Sequence, residues 1–144
     1  MINLSSEDIT SKNLVIRVDM NVPIKDGIVL DSTRIEACIP TIMFALNHGA
    51  RILLISHLGR PTEGSFDEKF SLKPVAESLS KIINMSCEVI DDLESEHIFK
   101  SESVIQVLEN IRFFKGEKEN CQDLGYKLAN LGDIYVFDAF GTAH

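Results

Sequence analysis

The chain has no basic excess, no cysteine pair and no long apolar run, and each absence removes a class of function. Its 22 acidic against 14 basic residues leave a formal charge of −8 at pH 7, which argues against a broad nucleic-acid or anionic-membrane footprint. Cys38, Cys87 and Cys121 form an odd, widely spaced set without a C-x-x-C pair. Neither a disulfide framework nor a zinc site is indicated, and a reducing cytoplasmic compartment is expected. A mean hydropathy of +0.06 and the lack of long apolar stretches leave nothing to span a bilayer. Near the N-terminus, Glu7, Asp8, Lys12, Arg17 and Asp19 interrupt isolated aliphatics, so no secretory or transit segment is read there. The chain also lacks a GxxxxGK[ST] loop, a GxGxxG turn and a recognisable Ser-His-Asp order.

What is present is an ordinary globular composition, 44% apolar over 144 residues. That length predicts one domain, able to bury roughly two-thirds of its unfolded surface without metal or disulfide staples. Five short apolar runs read as buried strands: Leu14 to Val18, Ile52 to Ile55, Cys87 to Ile90, Val104 to Leu108 and Ile134 to Phe137. Helix-period segments lie between several of them. One opens at Thr33-Arg34-Ile35-Glu36 in a capping-box pattern, carries Ile35, Ile39, Ile42 and Leu46 on one face, and stops at Gly49. Pro40 predicts either a kink in that helix or a regular part that starts beside the proline. A second helix is predicted from Ser71 to about Asn84, with Pro74 in its first turn and Val75, Leu79 and Ile82 or Ile83 inward. A third is predicted from Glu117 to Leu131, with Cys121, Leu124, Leu128 and Leu131 in a stripe and Gly132 as its stop.

Strands alternating with helices imply right-handed parallel crossovers. The expected fold class is therefore α/β, an open and mainly parallel sheet with helices on both faces in a Rossmann-like three-layer arrangement. Ile24 to Leu30, centred on Asp26-Gly27, predicts a small hairpin, and His57 to Ser71 a long loop. Ligands of such sheets bind beyond the carboxyl ends of the strands. There the chain offers Asp19, Asn21 and Pro23, then His57 and Arg60, then Glu109, Asn110 and Arg112, then Asp138.

Arginine at these positions points to an oxyanion, because a guanidinium is a rigid fork of donors that grips carboxylate or phosphate bidentately. The nine lysines lie elsewhere and read as solvated surface. Each residue also has a plainer reading. Arg17 and Asp19 share a strand face and read as an ion pair. Asp19 and Asn21 suit a turn as well as a hydroxylated ligand. His57 suits a backbone carbonyl as well as an anion, and Arg112 suits a salt bridge to Glu109. Gly141-Thr142-Ala143-His144 reads equally as a phosphate-contacting turn or a frayed end. Arg34 is different, since a cation in the first turn of a helix opposes the macrodipole, and a local cost of this kind hints at function. Physical reading alone stops at an oxyanion-binding α/β domain.

Five ordered motifs carry it further: Arg17-Val18-Asp19-Met20-Asn21-Val22-Pro23, Ser56-His57-Leu58-Gly59-Arg60-Pro61, Ser71-Leu72-Lys73-Pro74-Val75-Ala76, Glu109-Asn110-Ile111-Arg112-Phe113 and Asp138-Ala139-Phe140-Gly141-Thr142-Ala143-His144. Together they closely resemble the phosphoglycerate kinase family. The resemblance implies reversible phosphoryl transfer between 1,3-bisphosphoglycerate and ADP, giving 3-phosphoglycerate and ATP in glycolysis, with residues 1–144 as an incomplete N-terminal phosphoglycerate-binding domain. By resemblance, Asp19 and Asn21 contact the glycerate part, His57, Arg60 and Arg112 belong to the basic patch that holds the non-transferring phosphate, and Met20, Arg34, Leu58, Gly59 and His144 are further substrate-binding residues. Arg34 matches the catalytic arginine, which stabilises charge on the transferring group as an arginine finger does.

The nucleotide-binding C-terminal domain that holds Mg-ATP or Mg-ADP is expected to be absent, so the chain alone is expected to be inactive. The family pattern continues past His144 with a further basic-patch arginine, and it has asparagine where this chain has Phe137, which is expected to pack in the sheet. It also implies strand order 3-4-2-1-5, with a missing sixth strand beside the fifth that opens an edge. The expected partners are 3-phosphoglycerate or 1,3-bisphosphoglycerate, with no nucleic acid and no membrane. The intact enzyme is expected to be a monomer, and the open edge offers a surface for self-association. The alternative is a free-standing, non-catalytic module that binds a phosphorylated acid. A third possibility is a structural domain whose arginines form surface ion pairs, each contributing at most about 1 kcal/mol.

Overall fold

A computed structural model of the chain describes residues 9–114 and 122–137. Within them β1 (Asn13–Arg17) is followed by a two-stranded hairpin of β2 (Ile24–Lys25) and β3 (Ile28–Val29), then α1 (Thr33–Asn47) and β4 (Arg51–Ile55). A short 3₁₀ turn (Glu68–Phe70) leads to α2 (Lys73–Ile83), β5 (Cys87–Ile90), β6 (Ile105–Leu108) and a second 3₁₀ turn (Ile111–Phe113). The last described elements are α3 (Gln122–Ala129) and β7 (Ile134–Phe137). The five-stranded sheet has the order β5-β6-β4-β1-β7, and every pairing in it is parallel. This is the 3-4-2-1-5 order that the family resemblance implies, in the expected α/β class.

Strand alternation divides the core between the two faces of the sheet. Leu14, Ile16, Ile52, Leu54, Ile105 and Val107 point to one side, where Ile35, Cys38 and Ile42 of α1 and Val75, Ala76 and Leu79 of α2 meet them. Val15, Leu53, Ile55, Ile90 and Leu108 point to the other, against Ile98, Phe99 and Leu124 and Leu128 of α3. Each fully buried aliphatic of this set contributes about 1.5–3 kcal/mol, which outweighs the modest propensity penalties along the chain. Among the described residues no helix is long and apolar enough to cross a membrane.

Local details depart from the sequence expectations for identifiable reasons. The N-cap of α1 is Ser32, one residue before the predicted box, and it makes no side-chain cap bond. Instead Asp31 Oδ1 accepts from the Thr33 N–H at 2.9 Å, and Ser32 Oγ donates to Glu36 Oε2 at 2.9 Å. Pro40 lies inside one helix on its exposed side, so the helix does not start there. The fully buried stripe is Ile35, Cys38, Ile42 and Ala45, with Ile39 and Leu46 at its margin. At the other end, Ala50 N–H bonds to Ala45 O and Gly49 N–H to Leu46 O, a Schellman stop. In α2 Ile83 turns inward, while Ile82 is 43% exposed. The hairpin turn has φ of 53° at Asp26 and 75° at Gly27, the twist-matched geometry that the Asp-Gly pair predicts.

Of the predicted third helix, Glu117, Glu119 and Cys121 lie outside the described residues, as do Asp138 and the run to His144. The described part ends at Ala129, before Gly132. Gly132 therefore serves packing and not termination: a Cβ there would stand 2.7 Å from the Asn13 carbonyl oxygen and 3.2 Å from the Phe99 ring. Phe137 lies in the sheet as expected, on edge strand β7 beside Arg17, with its side chain 45% exposed. Gly132→Ala is expected to destabilise the chain by about 1–3 kcal/mol through overpacking; an unchanged urea midpoint would refute the close approach.

Candidate functional site

The carboxyl ends of β1, β4 and β6 lie along one edge because the strands are parallel, and the segments that leave them are stitched together by side chains. From β1, Asp19 Oδ1 accepts from the Asn21 N–H at 3.0 Å, an Asx turn, and from Arg34 Nη1 at 3.4 Å. Arg34 Nη1 also donates to the Asn21 carbonyl at 2.9 Å. Asp19 thus has the turn role as well as an ion pair, and the guanidinium, 49% exposed, folds back from the first turn of α1 toward this loop. The carboxyl of Asp31 is held below its ordinary pKa, chiefly by the Thr33 hydroxyl and N–H, with a smaller pull from Arg34. Asn21, Val22, Pro23, Asp31, Thr33, Arg34 and Ala37 line an open cleft of about 420 Å³.

The second arm leaves β4. Ser56 Oγ accepts from the Met20 N–H at 2.9 Å and donates to the His57 carbonyl at 3.0 Å. Gly59, at φ +59°, has its N–H on Asn21 Oδ1 at 3.1 Å, and its carbonyl accepts from Arg112 Nη1 at 2.8 Å. No side chain fits there, because a Cβ would fall 2.5 Å from the Phe70 ring. One unbroken series of contacts therefore joins Arg34, Asn21, Gly59 and Arg112; His57 lies two residues before Gly59 and Arg60 directly after it. Arg60 is exposed and has no hydrogen-bond or ion-pair partner among the described residues.

Of the predicted site residues only Asn21 and Arg34 line the cleft; Gly59 and Arg112 are joined to them through the contact series. Met20 is fully buried and Leu58 is 4% exposed, both in the core, because alternation along the exits from β1 and β4 turns these apolar side chains inward. His144 is outside the described residues. The Arg112–Glu109 pair suggested by spacing does not form: Glu109 is 2% exposed and accepts from Ser71 Oγ at 2.8 Å and the Leu72 N–H at 2.6 Å. It caps the start of α2 from another strand. Sequence reasoning left Ser56, Ser71 and Asn110 without roles; for Ser56 and Asn110 the available signal was a polar residue close behind an apolar strand, β4 and β6. Arg51, at the opposite end of β4, is spent on the Ser101 and Ser103 carbonyls. Among the described residues no group of three or more His, Cys, Asp or Glu could hold a metal ion.

Comparison with known proteins bears on what this edge does. The family model described as phosphoglycerate kinase matches residues 4–144. The chain belongs to the phosphoglycerate kinase family. It is 49% identical over 144 residues to the phosphoglycerate kinase of Francisella tularensis subsp. novicida strain U112, covering 99% of this chain and 36% of that protein. Against the phosphoglycerate kinase of Desulfovibrio desulfuricans it is 47% identical over 137 residues, covering 95% and 35%. A solved phosphoglycerate kinase from Coxiella burnetii superposes with a TM-score of 0.82 at 42% identity, over 91% of this chain and 33% of that one. The chain thus spans about a third of the length of the family members it matches. Removing the buried carboxylate by Glu109→Ala should cost about 1–3 kcal/mol by stranding the Ser71 and Leu72 donors. Glu109→Gln should cost less, and equal unfolding midpoints for both variants and the parent would exclude the capping role.

Proposed function

We propose that this chain forms the phosphoglycerate-binding part of a phosphoglycerate kinase, the enzyme that moves a phosphoryl group reversibly between 1,3-bisphosphoglycerate and ADP. The observation that carries this reading is the contact series from Arg34 through Asn21 and Gly59 to Arg112, at the strand ends of a chain in this family. A cytoplasmic location and a place in glycolysis are corollaries. The second substrate, Mg-ADP or Mg-ATP, is held by the remaining two-thirds of the length seen in the relatives. The whole protein adds a sixth strand beside β7 and acts as a monomer; the 144 residues alone do not turn over.

In this reading Arg60, Arg112 and His57 hold the phosphate that is not transferred, while Asp19 and Asn21 receive the glycerate part. Arg60 is suited because it has no charge partner among the described residues, and Arg112 because among those residues its fork meets a neutral carbonyl, that of Gly59. Arg34 lines the cleft and is held by Asp19 and the Asn21 carbonyl; in this reading it serves the reacting carboxyl-phosphate end. Charge on the phosphoryl group spreads in the transition state, and a guanidinium fixed beforehand stabilises it without reorganisation.

Titration of 3-phosphoglycerate into the chain should shift NMR signals of Arg34, His57, Arg60 and Arg112 in a saturable way; scattered, non-saturating shifts over the whole surface would overturn the assignment. In the full-length protein, Arg34→Ala should lower kcat by about 100-fold or more with only a small change in KM for phosphoglycerate, the pattern of a contact made in the transition state. An unchanged kcat would remove Arg34 from the chemistry. Turnover by the 144-residue chain alone would contradict the division of labour.

A further inference from the structure

We infer that Asn110, which reaches no ligand-accessible surface, is a positioning residue that sets the geometry of the phosphate grip. The inference rests on the proposed function for the identity of the ligand, but its physical basis is independent of it. Asn110 is 0% exposed, and both ends of its side-chain amide are used in full. Oδ1 accepts from the Leu58 N–H at 3.2 Å and the Arg112 N–H at 3.0 Å. Nδ2 donates to the Leu58 carbonyl at 2.6 Å and the Phe70 carbonyl at 3.0 Å. Two lone pairs and two N–H donors exhaust the capacity of an amide.

These four bonds tie together three segments that no secondary structure joins. Leu58 lies on the exit from β4, Arg112 on the turn after β6, and Phe70 at the return of the long loop before α2. The β4–β6 ladder has its last residue pairing at Leu54 and Val107, and one further backbone bond follows, from the Ile111 N–H to the Ser56 carbonyl at 3.0 Å. Beyond it, Asn110 bonds the N–H and C=O of Leu58 together, as a neighbouring strand would. By the same act it fixes Phe70, whose ring lies where a Gly59 side chain would be, and the backbone of Arg112, whose guanidinium holds the Gly59 carbonyl. Gly59 is thereby fixed from below and at its carbonyl, and Arg60 leaves a rigid mount with no charge partner among the described residues. Fixing donors in advance lowers the ordering cost of gripping an anion. Aspartate in place of Asn110 would set a carboxylate against the Leu58 and Phe70 carbonyls, and glutamine would add a methylene to a filled site.

The test uses the 144-residue chain as wild type, Asn110→Asp, Arg60→Ala and the double variant, with 3-phosphoglycerate as ligand and circular dichroism as the check on folding. Asn110→Asp should accelerate hydrogen exchange at the Leu58 and Gly59 amides and weaken binding by about tenfold or more. It should also shrink the effect of Arg60→Ala by at least about threefold, although the two side chains are not bonded, since a misplaced mount wastes the arginine; a role in global stability alone predicts additive effects. Wild-type binding by Asn110→Asp, or an equal effect of Arg60→Ala in both backgrounds, would overturn the proposal. So would backbone order parameters below about 0.6 at Leu58 and Gly59 in the ligand-free wild type, a measurement that needs no variant should Asn110→Asp or Asn110→Ser fail to fold. Failure of the wild-type chain to bind 3-phosphoglycerate, with exchange at Leu58 still accelerated by Asn110→Asp, would overturn the functional reading and leave the mount intact. Unaltered exchange in the folded variant would overturn the mount whatever the ligand.

Discussion

Where a parallel sheet stops, the backbone groups of its strands lose their ladder partners, and burial makes each orphan costly. In this chain that constraint is met by side chains along the carboxyl edge, and the architecture of the site follows from it. Ser56 takes the Met20 N–H, Asn21 the Gly59 N–H, Asn110 both polar groups of Leu58, and Glu109 the N–H of Leu72, the N-cap of α2. A buried polar network is favourable only when every member is satisfied. The edge therefore folds as a unit or not at all, and the arginines mounted on it share one frame of reference.

The placement of Arg34 shows how a local cost becomes useful. A cation in the first turn of a helix works against the macrodipole by some tenths of a kcal/mol. Here the guanidinium swings back to the Asn21 carbonyl and to Asp19, so it is anchored on β1's exit and not on its own helix. Part of its charge is answered at 3.4 Å by a partly exposed carboxylate, which is a weak tether in solvent. In the proposed function a phosphate competes well with such a tether, because its oxygens match the guanidinium fork in two places at once.

Much of this was legible in the sequence, and the boundary has physical causes. Apolar runs flanked by helix-period segments specify the sheet and its faces, since Leu14, Val15 and Ile16 must alternate between two cores. Strand order did not follow from periodicity; it came from the resemblance carried by five motifs. The arginine fork and the awkward helix start of Arg34 pointed to an oxyanion before any coordinates. What pattern reasoning missed are neutral and tertiary partners: the buried stripe of α1 is rotated toward Cys38 and Ala45, Glu109 pairs with a helix start 37 positions away rather than with nearby Arg112, and Met20 and Leu58 are core. Hydrogen-bond partners set by a third element leave no mark in local spacing.

In the proposed function, the same network lets an acidic chain hold an anion. A formal charge of −8 gives no long-range attraction for phosphate, and salt screens charges beyond about 8 Å in physiological solution. Binding must then come from the nearest groups, and what matters is whether their charge is already spent. Glu109, the acid closest in sequence to Arg112, is turned away and consumed by the Ser71 hydroxyl and the Leu72 N–H. Arg112 meets a carbonyl instead, which orients it without neutralising it. The carboxylate caps a helix and the amide holds the loop, so neither neutralises Arg112, and in the proposed function this separation of structural acid from basic side chain lets an acidic molecule take a phosphorylated acid.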